Sequence, residues 1–190
     1  MKFKDAFEIQ TGYLRSRIKE DENSVDIIVY SKKHFDYNKT FKNLDDTLEL
    51  DIIKLNKDKP YILKENDIVI DSLSHKAAIA TKETENMFVS FNYFILKPKI
   101  NIDLNYFVAW FNESDEIRRE LDTILQGTRL KKLTLTQLNE LKLNLIDLDK
   151  QKQIGKIYKY SNMKFNEAIK IRESEIDIVK NILSEVSLDE

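Results

Sequence analysis

Apolar positions in the last fifth of the chain recur at the spacing of a single helix face. The first row advances by alternating steps of three and four residues and comprises Ile154, Ile157, Ser161, Lys164, Ala168, Ile171, Glu175, Ile178 and Ile182. A second row lies one residue after every other member of the first and comprises Tyr158, Phe165, Arg172, Val179 and Val186. No proline interrupts residues 149–186, so on a helix the two rows merge into one wide apolar stripe.

A helix of this length would reach beyond the surface of a small domain. At 1.5 Å per residue it would be about 55 Å long, and an apolar stripe exposed over that distance needs another helix. We therefore predict a globular head at residues 1–148 and a helical arm at residues 149–190 that pairs as a coiled coil. The residues expected to pair are Ile154, Ile157, Tyr158, Phe165, Ala168, Ile171, Ile178, Val179 and Ile182.

The head begins with short runs of β-branched residues that are typical of strands. We predict strands at residues 25–30, 47–55, 68–70 and 77–80, and a central strand at residues 87–96, the most apolar segment. Residues 2–10 fit either a short helix or a strand, and the polar residues 31–46 are predicted to form a loop. These short strands predict a mixed or antiparallel sheet.

Helical signals take over after residue 100. We predict helices at residues 104–111 and 115–126, the second ended by Gly127, and a short helix that runs through residue 141. The candidate capping residues are Asp103 or Asn101, then Ser114, then Thr134 or Thr136. The fold class is therefore α+β, with a sheet, flanking helices and a long C-terminal helix.

Composition excludes several classes of protein. The chain has 190 residues with a net charge of −2, so it lacks a uniformly basic nucleic-acid-binding surface, although a local cluster of cations could still bind DNA. It has no cysteine, which excludes disulfides and thiolate metal sites. Residues 1–10 do not resemble a signal peptide and no apolar run has the length of a membrane span, so we expect a cytoplasmic protein.

Four segments concentrate basic and polar side chains outside the predicted strands and helices. Each could be either a solvated surface or a set of phosphate contacts, and the sequence leaves both interpretations open. The residues are Tyr13, Arg15, Arg17 and Lys19; Lys32, Lys33 and His34; Ser72, Ser74, His75 and Lys76; and Thr128, Arg129, Lys131 and Lys132.

Five motifs occur in a characteristic order. They are FKDAFEIQTG at residues 3–12, LKENDIVI at 63–70, LNYF at 104–107, QGTRLKKL at 126–133 and LNLIDLDKQKQI at 143–154. Together they resemble one half of the DNA-specificity subunit of type I restriction-modification systems, which is one target recognition domain with one conserved helix. Asn66 stands where the family's L-x-x-G-D-I-L-I motif has glycine, and the last motif lacks the family's prolines.

The resemblance implies a protein that binds DNA and is not a catalyst. The four basic segments would belong to the DNA side of the recognition domain, and no cofactor or metal ion is expected. The partners implied are double-stranded DNA, methyltransferase subunits and, through them, the restriction subunit. A full subunit carries two such halves whose helices pack antiparallel, so two copies of this chain are expected to pair through their arms as a homodimer that reads a bipartite target.

Two other classes of function remain open in the sequence. The chain could be an adaptor or regulator of a modification system that pairs through its arm without reading DNA, or an enzyme with an unrecognised carboxylate site. No N-P-P-Y motif or glycine-rich nucleotide loop is present, and His34 and His75 are far apart in sequence. Convergence of the basic segments on one face would favour DNA reading, and scattering would favour the adaptor.

Overall fold

The computed structural model describes residues 1–20, 22–44, 49–56, 59–126 and 131–186. The strands are β1 (Phe7–Thr11), β2 (Val25–Ile28), β3 (Ile52–Leu55), β4 (Ile68–Asp71), β5 (Lys76–Ile79) and β6 (Tyr93–Pro98). The helices are α1 (Phe3–Ala6), α2 (Lys32–Thr40), α3 (Leu104–Glu113), α4 (Asp115–Leu125), α5 (Leu135–Glu140) and α6 (Leu148–Val186). Residues 2–10, which fit either a helix or a strand, contain one short helix and one strand.

The main sheet has four strands in the order β1-β6-β4-β5, and every neighbouring pair is antiparallel. Strand β6 lies in the interior and is paired on both sides, as its apolar sequence predicts. Its Leu96 faces Ile9 of β1 and Ile68 of β4. The predicted α+β fold is confirmed, and of the two predicted alternatives, mixed or antiparallel, the main sheet is antiparallel.

The two faces of this sheet are covered by different helices, because successive side chains of a strand point to opposite faces. One face carries Ile70 and Phe94 and packs against the aromatic side chains of α3. The other face carries Val69 and Ile95 and packs against Phe35 of α2. The head therefore has two hydrophobic layers, with α3 and α2 on opposite sides of the sheet.

Strands β2 and β3 form a separate antiparallel hairpin-like pair beside the main sheet. Ile27, Ile53 and Leu55 bury their side chains around Phe88. Residue Phe88 also makes isolated bridges to Val29 and Ile62, which attach this small sheet to the rest of the head.

Helix α2 corrects the prediction of a loop at residues 31–46. Ser31 caps the helix by accepting a hydrogen bond from the backbone N–H of His34. Phe35 and Asn38, three residues apart, are both buried. Polar composition suggested a loop, but one apolar side chain and one satisfied amide on the same face are enough to hold a helix that tertiary packing supports.

The predicted central strand also begins later than expected, at Tyr93 instead of residue 87. Residues 87–90 run as a separate extended segment, and Phe91 and Asn92 form a turn before β6. Strand propensity alone does not reveal such an interruption, because both parts are rich in β-forming residues. Residues 47–48 of the predicted second strand lie outside the described residues, and β3 begins at Ile52.

The predicted helices between residues 104 and 141 are confirmed, with three of the proposed caps. Asp103 accepts from the N–H of Tyr106 at 2.8 Å, and Ser114 accepts from that of Glu116 at 3.2 Å. Thr134 accepts from the N–H of Gln137. Gly127, the predicted end of the second helix, lies outside the described residues.

Helix α6 has 39 residues and is therefore about 58 Å long. Its first half packs against α3, and the side chains of residues 170–184 are all exposed. The long arm predicted from the stripe is present and begins at Leu148, one residue before the predicted boundary.

Asn66 adopts φ 68°, in the left-handed region, where the related motif has glycine. A side chain with Cβ pays about 1–2 kcal/mol there, and asparagine is among the residues that tolerate it best. We expect Asn66→Ala to lower the free energy of unfolding by about 1 kcal/mol, and Asn66→Gly to preserve or raise it. Urea denaturation of both variants checks this, and equal stability of the two would contradict the backbone explanation.

Candidate nucleic-acid interface

Three of the four basic segments meet at the end of the main sheet where β4 ends and β6 begins. We call this region the loop surface and define it as residues 13–19, 71–76, 90–92 and 131–132. Backbone hydrogen bonds join its parts: Tyr13 N–H donates to Val89 at 2.9 Å, and Ser72 N–H donates to Asn92 at 2.9 Å. The N–H of Leu133 donates to the carbonyl of Ser72 at 2.8 Å.

Gly12 allows the first segment to approach the others so closely. A Cβ at this position would lie 2.1 Å from the carbonyl oxygen of Ser90 and 2.6 Å from that of Val89. Such a contact with backbone atoms cannot be relieved by moving a side chain. The glycine therefore permits the backbone crossing that brings residues 13–19 beside the turn at residues 90–92.

The exposed cations of the loop surface come from sequence positions far apart. Arg15, Arg17, Lys19 and Lys131 are all exposed. Arg15 forms an ion pair of 2.6 Å with Asp51, which is also largely exposed and so contributes little to stability. The Nε2 atom of His75 lies 2.7 Å from the carbonyl oxygen of Lys131, which fixes the basic segment 131–132 to the β4–β5 turn.

Phe91 is a member of this surface that sequence reasoning missed. Phe91 is 42% exposed, and the Lys132 ammonium lies 4.0 Å from its ring centroid, within cation–π distance. Lys132 also donates to Oδ1 of Asn92 at 3.0 Å. The turn therefore presents a held aromatic ring, an amide and a cation together. The sequence analysis placed Phe91 and Asn92 within the predicted strand at residues 87–96, so it did not identify them as a turn.

Tyr13 is only partly exposed. Its ring stacks on that of Tyr61, with centroids 4.6 Å apart and planes at 10°. This stack packs Tyr13 against the hydrophobic cluster around Phe88. The Tyr13 side chain therefore stabilises the loop surface from beneath and does not project from it.

Two residues predicted to contact DNA have structural roles instead. Ser72 is completely buried, and its hydroxyl donates to the carbonyl of Asn92 at 2.6 Å. Lys76 donates to the carbonyl of Asn112 at the end of α3, where a cation is favoured by the helix dipole. Ser74, by contrast, is exposed and bonds Oδ2 of the buried Asp71 at 2.8 Å.

His34 is the clearest correction among the predicted surface residues, because only 1% of it is exposed. Its Nδ1 accepts the backbone N–H of Ser31 at 3.0 Å, and its ring lies against that of Tyr30. Among the described residues its buried Nε2 has no hydrogen-bond partner. A histidine in the first turn of a capped helix packs inward here, although the neighbouring lysines suggested a basic loop.

Burial lowers the pKa of His34 below its ordinary value. The unfolded chain then binds this proton more readily than the folded chain, so the contribution of His34 to stability is complete above about pH 6.5 and is lost as the pH falls through the folded-state pKa. We expect the urea midpoint to decrease between pH 7.5 and pH 5.5, and to decrease less in His34→Gln. An equal pH dependence in both proteins would show that His34 is not the titrating group.

The remaining basic residues do not extend the loop surface. Lys32 and Lys33 are exposed in the first turn of α2, where Lys32 pairs with Asp36 on its own helix. Thr128 and Arg129 lie outside the described residues, so their predicted role stays a prediction.

The predicted pairing residues of the arm are mostly exposed in the single chain. Ile157, Phe165 and Ile171 have more than 60% of their surface exposed. Tyr158 differs, because it is half-buried against the head: its ring meets that of Phe41 edge-on and its hydroxyl accepts from Asn112 at 3.3 Å. Tyr158 therefore belongs to the contact between arm and head.

A polar row of α6, which the sequence analysis did not single out, makes that contact. Gln151 accepts from the N–H of Asp103 at 3.1 Å, and Asn166 donates to the carbonyl of Thr40 at 2.7 Å. Between them, Gly155 crosses the first turn of α3 at close range. The lone glycine in an otherwise regular helix was the available signal for this crossing.

Within the ranges that the structure describes, no group of three or more histidine and carboxylate side chains is placed to hold a metal ion. In the same part of the chain, no helix is long and apolar enough to cross a membrane.

The chain belongs to the family of type I restriction modification DNA specificity domains, whose family model matches residues 1–176. No curated protein sequence matches it significantly. Among solved structures, it is similar to the HsdS subunit from Thermoanaerobacter tengcongensis, with 13% identity and a TM-score of 0.55 over 90% of this chain. It is also similar to the type I restriction-modification S subunit from M. genitalium, with 16% identity and a TM-score of 0.53 over 96% of this chain.

A third similar chain comes from a structure of complex assembly and conformational transition of the type I R-M system, with 12% identity and a TM-score of 0.58 over 94% of this chain. The chain spans 39%, 43% and 42% of these three chains, respectively. At these identities the similarity establishes the fold: one head and one long helix.

Proposed function

We propose that this chain recognises a specific sequence of double-stranded DNA through the loop surface and is not itself a catalyst. The observation that supports this most is the convergence of segments from residues 13–19, 71–76 and 131–132 at one end of the sheet. Scattered cations would have fitted an adaptor protein equally well. Membership of the specificity-domain family supports the same function.

The loop surface offers both kinds of contact that sequence-specific binding needs. Arg15, Arg17, Lys19 and Lys131 are exposed, and we expect them to neutralise phosphates and set the position of the head on the duplex. Asn92 would meet base edges by hydrogen bonds and Phe91 by apolar contact, while His75 would hold the segment of Lys131 in position. A chain with a net charge of −2 confines its attraction for DNA to such a local cluster.

We further propose that two copies pair through the exposed stripe of α6 to form a homodimer. Two heads on one paired arm would read a bipartite target with two equivalent half-sites, and the arm length would set the distance between them. The homodimer would position methyltransferase subunits on that target and, through them, the restriction subunit. The exposed apolar stripe supports the pairing, because Ile157, Phe165 and Ile171 lack apolar cover in the single chain.

The decisive experiment sequences the methylome of the source cells with and without the gene for this chain. Loss of one discrete methylated motif on deletion is the expected result. An unchanged methylome would overturn the proposal and leave the adaptor.

Variants of the loop surface then separate phosphate contacts from base contacts on that motif. Lys131→Ala should weaken binding to every duplex and reduce the slope of log affinity against log salt by about 1. Phe91→Ala should weaken target binding at least about fivefold, since a lost base contact costs about 1–3 kcal/mol, with little change on random DNA. Lys33→Ala on helix α2 is the matched control, and electrophoretic mobility-shift titrations at several salt concentrations provide the measurement. Equal effects of Lys33→Ala and Lys131→Ala would contradict the assigned surface.

A further inference from the structure

An open apolar groove lies between α3 and the first turns of α6. Its volume is about 600 Å³. Its walls include Tyr106, Ala109, Trp110, Ile146, Ile154 and Ile157. Ile154 and Ile157 are 42% and 69% exposed, so this groove is an apolar surface without cover in the single chain.

The far end of the same arm carries apolar residues that the stripe does not use. One edge of α6 contacts its own head through Gly155 and Tyr158. Continued at three- and four-residue steps, this edge reaches Ile176, Val179 and Leu183 near the tip, which are 37%, 54% and 63% exposed. Two of them, Ile176 and Leu183, lie outside the stripe, so pairing of two arms alone would leave these side chains in water.

The charges in the stripe favour antiparallel pairing of two copies. Its first row alternates between two sets of positions, Ile154, Ser161, Ala168, Glu175 and Ile182 in one and Ile157, Lys164, Ile171 and Ile178 in the other. In a parallel pair each position meets itself, so Lys164 would face Lys164 and Glu175 would face Glu175. In an antiparallel pair the two sets face each other, and the lysine and the glutamate can be partners.

Only one antiparallel register among those one heptad apart pairs these charges. With Glu175 opposite Lys164 of the second copy, three of the four other layers match a large side chain with a small one or two isoleucines: Ala168 with Ile171, Ser161 with Ile178, and Ile157 with Ile182. The outermost layer sets Ile154 against position 185, a glutamate at the end of the pair. A shift of one heptad sets Lys164 against Ala168 or Ile182. In the single chain Glu175 forms a long, exposed ion pair of 3.9 Å with Arg172. Such a pair contributes little to stability, so Glu175 can exchange Arg172 for Lys164 of the second copy at small cost.

This register brings the tip of each arm to the groove of the other copy. It sets Ile178 and Ile182 of the second copy level with Ser161 and Ile157, which line the groove. A two-fold axis that exchanges antiparallel helices keeps the same edge of both on the same side of the pair. The edge that carries Ile176, Val179 and Leu183 therefore faces the side on which the first copy's head lies.

We propose that the groove beside Trp110 receives the arm tip of a second copy, through Val179 and Leu183. This inference rests on the homodimer of the proposed function and adds a contact between each arm and the opposite head. That contact would hold both heads at a fixed angle to the paired arms, so the spacing of the two DNA half-sites would be rigid.

The composition of the chain provides a direct test, because it has one tryptophan and no cysteine. A bimane dye on Leu183→Cys in a Trp110→Phe background is mixed with unlabelled wild-type chain, and its fluorescence reports contact with the wild-type Trp110. Residue 183 lies about 39 Å along α6 from Ile157 of its own chain, so only a second copy brings dye and groove together. Asn181→Cys, two residues away and so on nearly the opposite side of the helix, is the control label.

We expect wild-type chain to quench the label at residue 183. Trp110→Phe chain should not quench it, and wild-type chain should not quench the label at residue 181. A dimer by light scattering that shows no such quenching would overturn the groove contact and leave the homodimer intact. A monomer at all concentrations would overturn both.

A charge exchange tests the register independently. Lys164→Glu and Glu175→Lys should each weaken dimerisation by about tenfold, since each places like charges together in two layers, and the double variant should restore it. Sedimentation equilibrium measures the dissociation constants. A double variant whose dimerisation is weakened by the sum of the two single effects would overturn the register.

Discussion

Replacing Ile171 with aspartate should convert the homodimer into a monomer and lower the affinity for the bipartite target by about a hundredfold. Ile171 lies near the middle of the exposed stripe and is 62% exposed in the single chain. Symmetry would place the new carboxylate at the pairing surface twice, without a cation to compensate it. The head does not contact this side chain, so each monomer should fold normally.

Light scattering and mobility-shift titration measure the two effects, and circular dichroism checks the fold. Asn181→Asp is the matched control, because it adds the same carboxylate at an exposed position of α6 outside the stripe. The control should remain dimeric and bind the target as the wild type does. A dimeric Ile171→Asp protein would show that the stripe is not the pairing surface.

Replacing Gly155 with valine should have the largest effect on the folded chain itself. A Cβ at residue 155 would lie 2.3 Å from Oδ1 of Asp103 and 2.7 Å from the backbone nitrogen of Tyr106. The added side chain would displace the carboxylate that caps α3 and separate the arm from the head. Loss of the cap costs about 1 kcal/mol and overpacking a further 1–3 kcal/mol, which outweighs the better helix propensity of valine.

Urea denaturation of Gly155→Val should show that the free energy of unfolding falls by about 2–3 kcal/mol. The fluorescence of Trp110 should also shift, because Trp110 and residues of the arm line one groove. Ser174→Ala, a substitution at an exposed position in the distal half of α6, should leave the free energy of unfolding and the fluorescence of Trp110 unchanged. Wild-type stability in Gly155→Val would mean that the arm does not cross α3 as closely as the structure describes.

Most local elements of the fold could be predicted because their signals lie within a few residues. Asp103, Ser114 and Thr134 cap helices by bonds to residues two or three positions ahead, so their role is visible in the sequence. The resemblance to the specificity-subunit family was also confirmed. Helix α2 was missed because its stability comes from Phe35 and Asn38 packed against distant segments.

The candidate site could be predicted only in part. The basic segments were found as segments, but the sequence did not distinguish Lys131, which is exposed, from His34, which is buried. Phe91 was missed because a turn between two β-rich stretches has no distinctive composition. These distinctions depend on contacts such as that between His75 and the carbonyl of Lys131, which join residues far apart along the chain.

The sequence by itself determined the α+β class, the capped helices and the length and apolar stripe of the arm, because these depend on periodicity and short-range hydrogen bonds. Only the tertiary structure decided which cations share one surface, which face of the arm lies on the head, and which histidine is withdrawn from water. Those outcomes follow from backbone crossings at Gly12 and Gly155, where chain segments distant in sequence approach within contact distance.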